Sequence, residues 1–268
     1  MTLHSILMVG CGNMAGAMLQ GWLAAGLDPA RFTIADPSPR DLPQGVTHLD
    51  AIPAAGQFDA ILLGVKPQML GDIVPAVAAL ARPRTVILSM LAGVELAVLR
   101  ASFPQALAVV RLMPNLAVAL GKSPVALAEQ GLDAAGRDAA LALFAPLGTP
   151  EWVAEAEFDL VTALAGSGPA FVYRFIDALG SAAAQLGLPA DKAGRLALSM
   201  VEGAAALAAA SPHDPAELAR RVASPGGTTQ AGLDVMDAGG AMLTLAKATL
   251  RAARDRSAEM AAEARARG

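Results

Sequence analysis

The chain is 268 residues long, carries a net charge of −4, and is 54% hydrophobic but only 4% aromatic. That balance excludes the basic surface that nucleic acid or an anionic membrane would need. Lys66 and Asp72, Arg111 and Glu202 interrupt the long apolar runs, which stay short of the roughly 18 to 20 uncharged residues of a spanning helix.

The N-terminal stretch Ser5 to Val9 runs directly into a glycine turn with no basic leader, so a soluble cytoplasmic protein is expected, without membrane or nucleic-acid partners. The single cysteine, Cys11, has no partner for an internal disulfide, which agrees with a reducing compartment. His4, His48 and His213 are scattered without metal-ligand spacing, and no metal site is expected.

Up to residue 156, short runs rich in β-branched residues alternate with helical patterns. The strand candidates are SILMVG, RFTIAD, FDAILLGV, TVILSM, LAVVRLM, SPVALAE and EWVAE, with helices over Met14 to Ala25, Gln68 to Leu80 and Ala134 to Leu147. This alternation predicts an α/β, Rossmann-like domain over 1–156, a mainly parallel sheet with helices on both faces. From 157 to 268 the pattern predicts only helices, the long ones over Asp159 to Leu186, Asp191 to Ala210 and Ala241 to Ala266. Helices so rich in alanine and so apolar need cover on more than one side, and a second copy of the chain is the expected cover, giving a homodimer at least.

The first strand ends in Gly10-x-Gly12-x-x-Ala15 and leads into the first helix. Gly10 suits a tight turn, Gly12 lets backbone approach a pyrophosphate, and Ala15 lets helix and strand pack closely. The phosphates would rest on the helix N-terminus, at Asn13, Met14 and Ala15. The second strand ends at Asp36, where a carboxylate reads the adenosine ribose and favours NADH, yet Ser38 and Arg40 follow as groups able to hold a 2′-phosphate. The choice between NADH and NADPH stays open. Further strand ends carry Val65-Lys66-Pro67-Gln68, the small turn containing Ala92, and Met113-Pro114-Asn115, at the positions where open parallel sheets bind ligands.

The helical half has two small-residue interruptions. Ala163 to Phe171, ALAGSGPAF, places Gly166, Ser167, Gly168 and Pro169 inside the first long helical pattern, where they would bend it or expose backbone. Ser224-Pro225-Gly226-Gly227-Thr228-Thr229 opens a helix without any anionic side chain, and its free N–H groups and hydroxyls suit a small anion such as a carboxylate.

In this order, G-x-G-x-M-A, VKP-Q, R-x-MPN, A-L-x-GSGPA and SPGGTT, the chain resembles Δ1-pyrroline-5-carboxylate reductase, the last enzyme of proline biosynthesis, from Gly10 to the C-terminal helix. The resemblance implies a Rossmann domain joined to a helical dimerisation domain, an active site between the two, and in some members a ring of dimers. It implies that Gly226, Gly227 and Thr228 hold the substrate carboxylate, with Ser224 shaping the loop, that Thr229 meets the ring nitrogen, and that Gly168 and Pro169 border the pocket. It places Lys66, Pro67 and Asn115 beside the nicotinamide ribose. Three positions depart from the family pattern: Leu116-Ala117 stand for Thr-Pro, Ala165 for Ser and Phe171 for Tyr.

An imine bound as its iminium is already electrophilic, which explains a site without an acid or base: the protein positions it and excludes water. Two other readings fit less well. A β-hydroxyacid-type dehydrogenase wants a lysine on the first long helix, and Asp159 to Leu186 has none. A non-catalytic dinucleotide sensor would have no use for SPGGTT.

Overall fold

The computed structural model describes residues 3–39 and 42–267, so Arg40, one of the expected cofactor contacts, lies outside them. By the density of their internal contacts the residues form two units, 1–167 with 252–268, and 168–251. The division falls between Ser167 and Gly168, later in the chain than the expected change of texture at 156/157.

The first unit is built on an eight-stranded sheet: β1 (Ile6–Val9), β2 (Phe32–Ala35), β3 (Thr47–Leu49), β4 (Ala60–Leu63), β5 (Val86–Ser89), β6 (Ala108–Met113), β7 (Ser123–Gln130) and β8 (Gly148–Trp152). Their order is β3-β2-β1-β4-β5-β6-β7-β8, and every adjacent pair is parallel except β6 and β7. Strands β1 and β4 are wholly buried and read as continuous apolar runs, as strands covered on both faces must. Alternate side chains serve opposite layers. Ile6, Met8, Ala60 and Leu62 pack with Met18, Leu19 and Trp22 of α1 (Asn13–Ala24) and with Leu143 and Phe144 of α4 (Ala134–Phe144). Leu7, Val9, Ile61 and Leu63 pack with Ile73 and Val77 of α2 (Leu70–Leu80) and Leu99 of α3 (Leu96–Ser102). Trp22 anchors the first layer: its ring stacks on Phe32 with centroids 5.3 Å apart, and its Nε1–H donates to the Leu143 carbonyl at 2.7 Å.

Past β8 comes α5 (Phe158–Val161) and then a π-helical turn, Thr162–Gly166, closed by the Ser167 N–H donating to the Thr162 carbonyl at 3.0 Å. The far end of α10 (Ala241–Arg267) returns to this unit, where Ser257 Oγ donates to Asp159 Oδ1 at 2.7 Å.

The second unit is helical: α6 (Gly168–Gln185), α7 (Ala190–Ala210), α8 (Pro215–Val222), α9 (Thr228–Asp237) and the start of α10. Helices α6 and α7 cross closely where a Cβ on Gly180 would lie 3.3 Å from Gly194 Cα. Most other apolar side chains here are exposed in the single chain, among them Leu196, Met200, Leu207 and Leu243. Among the described residues one helix, α7, is long and apolar enough to cross a membrane by length and composition, although Glu202 falls inside it.

Candidate active site

The chain leaves β1 outward to β2 and β3, then returns to place β4 on the other side of β1, so the strand order reverses between β1 and β4. Ligand crevices open at the carboxyl ends of strands at such a switch. Gly10 sits there with φ +86, and its Cβ position is closed by Val65 Cγ1 at 2.9 Å and the Gly64 carbonyl carbon at 3.0 Å. Both facts demand glycine at position 10. Across from it, a Cβ on Gly64 would lie 2.6 Å from the Gly10 carbonyl and 3.0 Å from Ala15 Cβ. Gly64 therefore belongs to the same close packing. The sequence reading passed over it, although the small residue in LLGVKP was the available signal.

Gly12 is the N-cap of α1, exposed, with no heavy atom within 4 Å of its Cβ position. No side chain caps this end, and the first intrahelical bond of the turn is Gly16 N–H to the Gly12 carbonyl at 2.8 Å. The amides of Asn13, Met14 and Ala15 are thus the open donors that a helix start presents to an anion. A cleft of about 290 Å³ adjoins them, lined by Cys11, Gly12, Asn13 and Gly16 and, farther out, by Leu42, Pro43 and Leu116. Bare backbone, open amides and an adjoining cleft fit a dinucleotide pyrophosphate.

Asp36 follows β2 and is half-buried. Its Oδ2 accepts from the Cys11 N–H at 2.7 Å and its Oδ1 from the Ser38 N–H at 2.9 Å. The Cys11 thiol is pushed up to about 11, first by burial and then by the Asp36 charge. On the far strand ends, Lys66 caps a short 3₁₀ turn, Pro67–Met69, and is exposed, with Val65 and Pro67 half-buried beside it. Ala92 occupies the turn after β5 and is likewise half-buried.

Asn115 is buried, and its carboxamide is engaged at both ends. Nδ2–H donates to the Ala165 carbonyl at 3.0 Å and Oδ1 accepts from the Ala117 N–H at 2.9 Å, while its own N–H donates to Ser123 Oγ at 2.9 Å. It ties the end of β6 to the π-helical turn. Arg111, also buried, ties the strand to the segment ahead of that turn: Nη1 pairs with Glu155 Oε1 at 2.6 Å and the guanidinium lies 4.0 Å above the Phe158 ring.

In the second unit the SPGGTT turn leads into α9, with Gly227 as N-cap accepting from the Ala231 N–H at 3.1 Å and donating to the Ser224 carbonyl at 2.9 Å. Gly226 has φ +71, and a Cβ on Gly227 would lie 2.5 Å from Ser224 Oγ and 3.0 Å from its carbonyl oxygen, so a side chain at position 227 would force a shift. Again no side chain caps the helix, which leaves the amides of Thr228, Thr229 and Gln230 as its open first-turn donors. Thr228 and Thr229 are exposed. The two arginines before the turn are drawn to α8's own carboxylate: Arg220 and Arg221 both bond Glu217, whose pKa they hold below its ordinary value, Arg221 most. Gly168 and Pro169 open α6.

Two family models match the chain: pyrroline-5-carboxylate reductase dimerisation over residues 155–260, and NADP oxidoreductase coenzyme F420-dependent over 5–93. The pyrroline-5-carboxylate reductase of Pseudomonas aeruginosa is 36% identical, over 97% of this chain and 98% of its own. This chain belongs to the pyrroline-5-carboxylate reductase family. The Synechocystis member is 35% identical over 94% of this chain and 97% of its own. The solved pyrroline-5-carboxylate reductase of Coxiella burnetii superposes with a TM-score of 0.87 at 28% identity, covering 97% of this chain and 99% of that one.

Family membership makes the three departures informative. Ala117 supplies the N–H that bonds Asn115 Oδ1, a donor that the proline of the resembled pattern would lack. Leu116 turns an apolar side chain to the cleft. At position 165 the contact used is the carbonyl, which alanine keeps. Nothing in the structure explains Phe171.

Proposed function

We propose that this protein reduces 1-pyrroline-5-carboxylate to L-proline with NADH or NADPH as hydride donor. Identity of 36% to a curated reductase across nearly the whole chain, with the glycine-threonine turn intact, carries the reading. The reduced nicotinamide, when bound, supplies the hydride that converts the cyclic C=N carbon to CH–NH.

The chain's own residues bind and orient. Gly10, Gly12 and the amides of Asn13, Met14 and Ala15 hold the pyrophosphate, and Asp36 takes the adenosine ribose with Ser38 and Arg40 beside it. Val65, Lys66, Pro67 and Ala92 border the nicotinamide half, with Asn115 behind them as the tie that holds the strand end. In the helical unit the N–H groups of Gly226, Gly227 and Thr228 hold the substrate carboxylate, Ser224 keeps the loop in shape, and Gly168 and Pro169 form the pocket edge. Thr229 Oγ1 accepts from the iminium N–H and so orients the ring. The iminium arrives protonated, so no side chain of the protein transfers a proton to nitrogen before hydride addition.

The protein works as a homodimer, or a ring of such dimers, assembled through its helical unit in the cytoplasm. Dimerisation, the property for which the family model over 155–260 is named, also accounts for the apolarity of α7: a partner subunit covers it. The test is oxidation of NADH and of NADPH with pyrroline-5-carboxylate, beside a six-membered cyclic imine acid. Oxidation with the five-membered substrate is expected, and its absence with both cofactors would overturn the assignment.

A further inference from the structure

The chain leaves β5 through Leu91-Ala92-Gly93-Val94, a turn closed by the Val94 N–H donating to the Leu91 carbonyl at 3.2 Å. Gly93 takes its third position with φ +76, the backbone conformation for which a type II turn calls on glycine. Leu91 and Val94 are buried and hold the two ends down, while Ala92 between them is only half-buried at the carboxyl end of the strand. Beyond the turn the Leu96 N–H donates to Glu155 Oε1 at 3.0 Å, which fixes the way out.

The far end of α10 backs this turn. A Cβ on Gly93 would lie 3.0 Å from the Met260 carbonyl carbon, 3.1 Å from its oxygen and 3.1 Å from the Ala261 nitrogen. Helix and turn thus meet backbone against backbone, where no side chain can rotate to make room, and a shift of one is passed to the other. The helix end is seated at further points. Ala253, Ser257, Met260 and Ala261 are less exposed than their neighbours and share one helical face, and Ala261 is fully buried. From that face Ser257 Oγ donates to Asp159 Oδ1 of α5 at 2.7 Å. We infer that the end of α10, through Ala261 and the Ser257–Asp159 bond, is a positioning element for hydride transfer. It fixes the turn that carries Ala92, and with it the place of the nicotinamide ring.

This role rests on the dinucleotide reading of the crevice, and two ligands separate the two claims. ADP-ribose keeps the adenosine and pyrophosphate of the cofactor but has no nicotinamide, so it probes the crevice without the turn. In the full-length protein Ala261→Leu forces a bulky side chain into the buried position beside Gly93. It should lower kcat about ten- to a hundredfold, the cost of misplacing reacting groups by about an ångström. Affinity for the reduced dinucleotide, followed by nicotinamide fluorescence, should fall as well, while ADP-ribose, followed by calorimetry, should bind as it does to the unsubstituted protein. Ala261→Ser, of nearly the original size, should keep most of the turnover. Ser257→Ala removes only the bond to Asp159 and should move kcat and dinucleotide affinity the same way by less, which keeps the test decisive if Ala261→Leu does not fold. Unchanged kcat in every folded member of the Ala261→Leu and Ser257→Ala pair, or ADP-ribose affinity falling together with that for the dinucleotide, would overturn the positioning role and leave the crevice a dinucleotide site. An unsubstituted protein that binds neither ligand would overturn the dinucleotide reading itself.

Discussion

At the scale of single residues, chemistry divides between groups that act through position and one that is silenced. Thr229 is the only side chain assigned to the reacting nitrogen, and a hydrogen bond to a charged group contributes about 1.5 to 3 kcal/mol. Thr229→Ala should therefore lower kcat/KM about ten- to a hundredfold with an unchanged melting temperature, and Thr229→Ser should recover most of the loss. Steady-state kinetics beside thermal melts check this, and an alanine variant with full turnover would remove the role. Cys11 is the opposite case. It sits inside the glycine turn between β1 and α1, yet burial and the Asp36 charge raise its thiol from 9.0 to about 11. A raised pKa means the folded protein binds the proton more tightly than the unfolded chain. The resulting stability is complete below pH 9 and is lost as pH rises from about 9 through 11. At pH 7.5 the native protein should consume a thiol reagent far more slowly than the urea-unfolded chain. Equal rates would show that the thiol is neither buried nor neutral.

At the scale of elements, the segment from β6 to the π-helical turn is stitched by polar contacts that the sequence pattern did not disclose. Glu155 Oε1 serves both Arg111 and the Leu96 N–H, at 2.6 and 3.0 Å. Glu155→Ala should strand a buried guanidinium and cost about 3 kcal/mol in urea unfolding at fixed protein concentration. Arg111→Leu added to it should restore part of that, since no charge is then left buried without a partner. If the double variant is as unstable as the single one, the stabilisation comes from packing and not from charge. The same contrast explains what was legible. Buried central strands announce themselves as runs of Ile, Leu and Val, so β1, β4 and β5 were plain. Strand β3 is three residues long with Thr47 and His48 exposed, and it exists because β2 offers it a ladder. Strand β8 begins at Gly148, earlier than the EWVAE run suggested, because β7 pairs with it from Ser123 onward. Helices α3 and α8 are both absent from the sequence-based expectation, α3 for its seven residues, α8 although its Asp214 cap and Pro215 start stand in the sequence. The glycine and proline residues of ALAGSGPAF marked a break correctly in kind, but the π turn forms earlier, at Thr162–Gly166. Its causes are long-range: the Asn115 amide takes the Ala165 carbonyl, and Met113 Sδ would lie 3.1 Å from a Cβ on Gly166. The glycine turns of the candidate site were legible because close backbone approach leaves few residue types available. Asn115 was legible as important, while its engaged carboxamide was not.

For the whole molecule, the outstanding physical fact is apolar surface that one chain cannot cover. Helix α7 turns Ala193 and Ala197 inward, yet Leu196, Met200 and Leu207 stay 55%, 52% and 63% exposed. Spaced four and seven residues apart, these three form one stripe, and Leu198 lies on the other side of the same helix, also exposed. An isolated surface helix would carry polar residues on those faces, and contiguous apolar patches of this kind mark protein interfaces. Dimer interfaces of obligate type resemble a domain core cut in two, so a charge placed in the stripe should act like a charge in a core. Met200→Glu with Leu207→Glu should convert the protein from dimer, or larger species, to monomer in sedimentation velocity, with far-ultraviolet circular dichroism showing the helices retained. A double variant that sediments like the unsubstituted protein would show that this stripe faces something other than a second copy. Activity gives an independent reading of the same variant: if helices of the partner stiffen the unit that presents the SPGGTT turn, the monomer should bind the reduced dinucleotide normally but show a raised KM for the imine.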